Sequence, residues 1–335
     1  MTPFLLVYLC DPKDKSSLSL IDGRYDEAGN ITEGVLVSES ENRYRVVDGV
    51  PRFVENMPIK ASVDSFGDEW NYFNFDQFKL NWLNHTVKNT FGSADAFKGK
   101  VIVDAGGGSG MQSLWMSQSG ARHVICLELS HSVDGVMKEN VGRVANIDRV
   151  QCSIDCPPIK DGSIDGIVFC HNVIQHTPSV ENTARALWGI VGKGGEFVFN
   201  CYRKSPGGFL DVLRYWTYDR LRRFLPKRSF TFTLHYSRVV SALRFVPVLG
   251  KSLEAFFFVC RGHVPKGENY FRRAYRQGLL NTFDLYGSHS YQHLKTDEEI
   301  KRLISVLQPD SDKISNYALY FSRKTPDGCA LRLTR

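Results

Sequence analysis

Between residues 99 and 200 the apolar positions gather into short runs separated by longer amphipathic stretches. Val101–Ala105, Val124–Glu128, Val150–Ser153, Ile164–Cys170 and Glu196–Asn200 are rich in β-branched and apolar residues, the pattern of strands buried on both faces. The segments after Gly110, through Ser132–Val144 and across about Ser179–Val191 read as helices. Alternating strand and helix predicts an α/β fold with a parallel, doubly wound sheet, whose ligands sit beyond the carboxyl ends of the strands. Asp104, Glu128, Asp155 and His171-Asn172 all stand at those ends, so the pattern gathers them into one crevice.

The flanks follow other patterns. Residues 1–57 form a small β-rich unit: Gly34–Ser38 and Tyr44–Val47 read as strands, and Asp48-Gly49 is a tight-turn signal before Val50–Val54. Residues 58–98 form an aromatic, helical lead-in that includes Phe66, Trp70, Phe75, Phe78 and Trp82. Residues 201–280 are a basic, aromatic, helical insert, with sixteen Lys and Arg against four Asp and Glu. In the closing segment 281–335, Ile314–Phe321 and Cys329–Leu333 read as the last two strands, joined around Pro326-Asp327-Gly328.

At 335 residues the chain has room for two units, and 42% hydrophobic content supports a sizeable core. The net charge of +6 conceals an asymmetry, because the insert is strongly basic and the remainder mildly acidic. Eight cysteines are scattered without paired C-x-x-C spacing, a pattern that fits a reducing compartment better than a disulfide scaffold. Met1–Cys10 is apolar but lacks the basic lead of a signal peptide, and no apolar run reaches the roughly 18 residues of a membrane span. The expected location is cytoplasmic, with peripheral membrane contact through residues 201–280 as an added expectation.

The chemistry starts at Val101-Ile102-Val103-Asp104-Ala105-Gly106-Gly107-Gly108-Ser109-Gly110. Gly106, Gly108 and Gly110 alternate, which lets backbone approach a ligand where a Cβ would not fit. This G-x-G-x-G spacing differs from the G-x-G-x-x-G of a pyrophosphate-binding turn. With Glu128 available to accept from hydroxyls, it suits an adenosyl ligand without phosphate. Taken with Asp155, Asp161–Val168, Val173–Pro178 and Val191–Gly195, the turn resembles that of the class I S-adenosylmethionine-dependent methyltransferases, and the resemblance covers about 100 residues in order.

The resemblance implies a Rossmann-like seven-stranded sheet closed by an antiparallel hairpin, with the insert between strands five and six as a substrate cap. It implies S-adenosylmethionine as cofactor, with Gly106, Gly108 and Gly110 behind its methionine and ribose and Glu128 on the ribose hydroxyls. Asp155, followed by Cys156, falls at the adenine, Asp104 orients the turn or the donor's ammonium group, and His171 lies beside the methyl group. Phe66 and Trp70 become parts of a lid, where aromatic faces attract a sulfonium. The first unit is similar to a Trm112-type zinc-ribbon-like domain, but Lys13 stands where that family places a second cysteine. The expectation is therefore that shape without a metal, in a structural or partner-binding role.

Methyl transfer is an in-line displacement that needs alignment and, for some acceptors, a base. His171, His176 and His289 are the base candidates, with Gln175 where relatives often carry another histidine, and Phe283–Tyr286 and His289–His293 as closing segments. Cys170-His171-Asn172-Val173 lacks the proline pair of base amino-group methyltransferases, and Cys156 precedes rather than follows its prolines, which disfavours nucleic acid. The expected acceptor is a small-molecule, glycan or lipid-linked compound. An RNA methyltransferase and a donor-binding protein without turnover are the competing readings. The acceptor atom (O, N or C) and the oligomeric state are left open.

Overall fold

The computed structural model describes residues 1–54, 67–73, 75–204, 209–256, 267, 269–287, 291–308, 311–322 and 324–335. Four antiparallel strands, β1 (Leu18–Tyr25), β2 (Ile31–Ser38), β3 (Arg43–Val47) and β4 (Val50–Pro51), pair in sequence order. A short helix, Pro3–Tyr8, precedes them, and the Thr2 hydroxyl caps it by accepting from Leu5 N. This small sheet shares a core with the large one: Leu5, Leu9, Ile31, Leu36, Val46 and Phe53 belong to the same apolar cluster as Val103, Ile125 and Val168.

The runs of residues 99–200 form five parallel strands: β5 (Val101–Ala105), β6 (His123–Glu128), β7 (Ile147–Gln151), β8 (Ile167–Cys170) and β9 (Glu196–Phe199). With β10 (Ile314–Ser315) and β11 (Leu331–Thr334) they make a seven-stranded sheet in the order β10-β11-β9-β8-β5-β6-β7, with β11 antiparallel to both its neighbours. That is the α/β, doubly wound, Rossmann-like arrangement expected. β5 and β8 are buried along their whole length, so their side chains, Asp104 excepted, are apolar and the strands read as near-continuous runs. On the outer side of β7, Arg52 bridges Gln151 and Phe53 N donates to Gln151 O at 2.8 Å. The small sheet thereby covers an edge that would otherwise present unpaired backbone.

Two expected elements differ. The strand read across 314–321 ends after two residues, because Asn316 turns left-handed (φ +64°) and its amide donates to Thr90 O and Ala330 O. Tyr317–Tyr320 then winds into a helical turn that buries Tyr320. The insert is helical, in Phe209–Phe224, Phe230–Leu243, Leu249–Phe256 and Tyr270–Tyr286, and its last helix runs past residue 280. No helix among the described residues is long and apolar enough to cross a membrane.

Candidate active site

At the end of β5 the chain turns sharply, with Gly106, Gly108 and Gly110 at φ +88°, +55° and +78°. These are left-handed conformations that cost an L-residue roughly 1–2 kcal/mol. Gly106 N and Gly107 N both donate to Leu127 O, at 2.8 and 3.0 Å, which ties the turn to the end of β6. The Glu128 carboxylate completes the tie: one oxygen accepts from Gly108 N and the other from Ser130 N, each at 2.8 Å. Each carboxylate oxygen carries two lone pairs, so Glu128 still has acceptor capacity for a ligand's hydroxyls.

Beyond this turn lies a cavity of about 380 Å³. Its wall includes Gly106, Gly107, Ser109, Glu128, Ser130 and Asp155, together with the rings of Trp70, Phe75, Phe78, Trp82 and Trp115. The Thr183 hydroxyl donates to Asp155, and burial raises the carboxyl's pKa. Its polar lining also includes Glu69, His176, Tyr202, Gln277, Asn281, Asp284 and Tyr291. Tyr202 donates to Asp284 Oδ2 at 3.1 Å. Burial first, and the nearby Asp284 second, push Glu69 well above the usual carboxylate range. No Lys or Arg is among the described wall residues. Carboxyls and aromatic faces fit a positively charged sulfonium donor.

Of the three candidate bases, His171 and His176 lie among the described residues, and burial disfavours the charged form of both. His171 is buried with its ring stacked on Phe169, and desolvation lowers its pKa to about 4. Its Nε2 lies 3.2 Å from Gly328 O, and a carbonyl can only accept, so the proton sits on Nε2 and Nδ1 is left as a bare acceptor. By the same reasoning His176 donates from Nδ1 to Tyr291 O at 3.3 Å, and burial lowers its pKa.

Of the residues singled out from sequence, Gly106, Glu128, Asp155, His171 and His176 line the cavity. Asp104, Gly108, Gly110 and Cys156 are not on its wall. Asp104 lies beneath the turn, where the Ser113 hydroxyl donates to it at 2.6 Å. Gly108 faces the Trp70 ring, 2.6 Å from where its Cβ would stand, so this glycine makes room for the lid residue. Gly110 makes room for Met137 and Val141, and burial raises the pKa of the Cys156 thiol. His289 and Phe66 lie outside the described residues. The described cysteines are all free, burial pushes the Cys10 thiol up to about 11, and no group of three or more potential metal ligands is present among the described residues.

Sequence reasoning missed Tyr202, Gln277 and Asn281. A signal was available, since Gln277, Leu280, Asn281 and Asp284 are spaced i, i+3, i+4, i+7 and therefore share one face of the helix Tyr270–Tyr286.

A family model described as a methyltransferase domain matches residues 103–199. The chain is 30% identical over 82 residues to protein arginine N-methyltransferase 1 of Oryza sativa subsp. indica, covering 22% of this chain and 20% of that protein. It is 24% identical over 151 residues to the ubiquinone biosynthesis O-methyltransferase of Acinetobacter baylyi, covering 44% of this chain and 59% of that protein. The chain thus spans about a fifth of the plant relative's length and under two thirds of the bacterial one's. Among solved structures it is similar to an S-adenosylmethionine-dependent methyltransferase from Mesorhizobium loti, at TM-score 0.30 and 24% identity over 32% of this chain and 49% of that one. It is also similar to a chain from the complex of the Haloferax volcanii Trm112 methyltransferase activator with a methyltransferase, at TM-score 0.34 and 19% identity over 42% of this chain and 62% of that one. Residues 103–199 thus match a methyltransferase-domain model and lie within the Rossmann-like seven-stranded sheet, which supports S-adenosylmethionine as the cofactor.

Proposed function

We propose that the chain transfers a methyl group to an uncharged, hydroxyl- or amine-bearing group of a small-molecule, glycan or lipid-linked acceptor. The observation that carries this is that Glu69, Tyr202, Asn281 and Asp284 line the same cavity as the glycine turn and Glu128, with no Lys or Arg among its described wall residues. An anionic group there would meet the carboxyls of Glu69 and Asp284 on a wall whose described residues include no Lys or Arg, although Arg222 lies close enough to act on Asp284. When bound, S-adenosylmethionine supplies an electrophilic methyl on a sulfonium. The protein's part is to align the acceptor and take its proton. In this reading His171 Nδ1, which has no partner within the protein, accepts a hydrogen bond from the acceptor group and orients it. Asp284, fixed by the Tyr202 hydroxyl, receives the proton. The N-terminal sheet serves as structural cover for β7, in keeping with its Trm112-like sequence pattern and lone early cysteine.

Calorimetry should show micromolar binding of S-adenosylmethionine, about −8 kcal/mol. Glu128→Ala should weaken it by about 1.5–3 kcal/mol, through lost bonds to a charged group and a loosened glycine turn. Asp284→Asn should leave donor affinity intact while lowering transfer of labelled methyl to fractionated cell extract. Failure of well-folded wild type to bind the donor would overturn the reading, and Asp284→Asn with undiminished transfer would remove that residue's role.

A further inference from the structure

Helices of a cap ordinarily present a polar face to water, but the first half of the insert's first helix presents an apolar one. Along Phe209–Phe224 the residues Phe209, Val212, Leu213, Trp216, Arg220 and Arg223 fall at i, i+3, i+4, i+7, i+11 and i+14, one continuous stripe. All six are exposed, with Phe209 at 85% and Trp216 at 55%. The inward face of the same helix is already used, by Tyr218 in a small apolar cluster with Leu225 and Tyr286. A second exposed apolar group stands on the turn after Phe230–Leu243, where Val246, Val248 (77% exposed) and Leu249 lie near Phe245, whose ring packs on Phe271 (71% exposed). Single exposed apolar side chains are ordinary, but grouped ones mark an interaction surface.

The charge around these groups is mostly positive. Arg220 lies over the Trp216 ring at 4.8 Å and Arg228 over Phe224 at 4.2 Å. Lys227, Lys251, Arg272 and Arg276 are exposed nearby in sequence, and Asp219 is the exposed acid of the first helix. Arg222 belongs to the interior instead: its guanidinium donates to Gly287 O at 3.0 Å, and burial lowers its pKa. Rings and aliphatic side chains that enter an acyl boundary, ringed by arginines that meet phosphates, complement an anionic bilayer surface.

We propose that this face of the insert docks on an anionic lipid bilayer. The surface connects to the cavity, because Tyr270–Tyr286 packs against Phe230–Leu243 and carries Gln277, Asn281 and Asp284 into the wall. Docking would thus hold that part of the cavity wall close to the interface. The proposal does not depend on methyl transfer.

The full chain should sediment with vesicles of equal parts phosphatidylglycerol and phosphatidylcholine at low salt. It should stay in solution with phosphatidylcholine alone, and lose anionic binding as salt is raised. Replacing Arg220, Arg223 and Arg228 together by Ser should weaken partitioning about a hundredfold, from three basic contacts each contributing at an anionic surface. Phe209→Ser with Trp216→Ser should weaken it with the charge unchanged. Unaltered thermal melting and donor affinity would show that both variants remain folded. Equal sedimentation of wild type and the arginine variant, equal binding to neutral vesicles, or salt-sensitive RNA binding without vesicle binding would each overturn the proposal. So would a stable dimer that Trp216→Ser dissociates, with no vesicle binding by wild type.

Discussion

Gly107→Ala should lose about 3 kcal/mol of stability, the upper end of what overpacking a core costs, and Cys126→Ala should return part of it. Gly107 is not one of the turn's left-handed residues, so backbone strain is not the reason. The constraint is space: a Cβ built on it would stand 2.1 Å from Cys126 Sγ. Cys126 is fully buried in β6 and its sulfur also touches Met137 Sδ at 3.8 Å, so it has little freedom to move aside. Meanwhile Gly107 N is held to Leu127 O, which stops the turn from lifting away. Cys126→Ala alone removes one packed sulfur and should cost about 1 kcal/mol. In the double variant the new methyl occupies the vacated space, so its total cost should be about 2 kcal/mol rather than the sum. Urea unfolding of the four proteins measures the coupling, and additivity within about 0.5 kcal/mol would show that the two atoms do not compete.

The sulfur contact explains why Gly107 was passed over in the sequence while Gly106, Gly108 and Gly110 stood out. Alternate spacing signals a turn, whereas a close approach to a neighbouring strand becomes visible only when β5 and β6 are laid in register. The strands of residues 101–199 were legible for a related reason, since burial on both faces leaves a near-continuous apolar run. β1 was not, because its residues are mostly exposed or half-buried and Asp22 bends it with φ +52° where the pairing register shifts. At the site, the strand-end residues converge by topology, so Glu128, Asp155 and His171 could be placed together from their positions alone. Tyr202, Gln277 and Asn281 come from the insert and its approach, whose path over the sheet is set by tertiary packing against Phe230–Leu243. Arg222 shows the same limit in reverse. It sits among surface arginines in the sequence, yet its helical phase turns it inward to Gly287.

Asp104→Asn should become progressively more stable relative to wild type as pH rises from 4 to 7, by about 3 kcal/mol in all. Asp104 is buried at the end of β5, and desolvation raises its pKa to about 6 from an unfolded value of 3.8, against the opposing bond from Ser113. Below pH 3.8 the carboxyl is protonated in both states and contributes no difference. Between the two values the folded state holds a proton that the unfolded state has released, so stability falls as pH rises; above about 6 the cost is complete. Asparagine has nearly the same shape, and its amide and carbonyl can pair with the Ser113 hydroxyl and backbone without carrying a charge. Other buried acids, Asp155 and Glu69 among them, titrate in both proteins and cancel in the difference. Urea unfolding of the donor-free proteins at half-unit pH steps gives the curve directly. A difference that stays flat across the window would mean that Asp104 titrates like a solvated carboxyl and that its bond to Ser113 offsets burial. A difference that rises and levels off near pH 6 would identify the acid beneath the glycine turn as a charge that the fold keeps against its own stability.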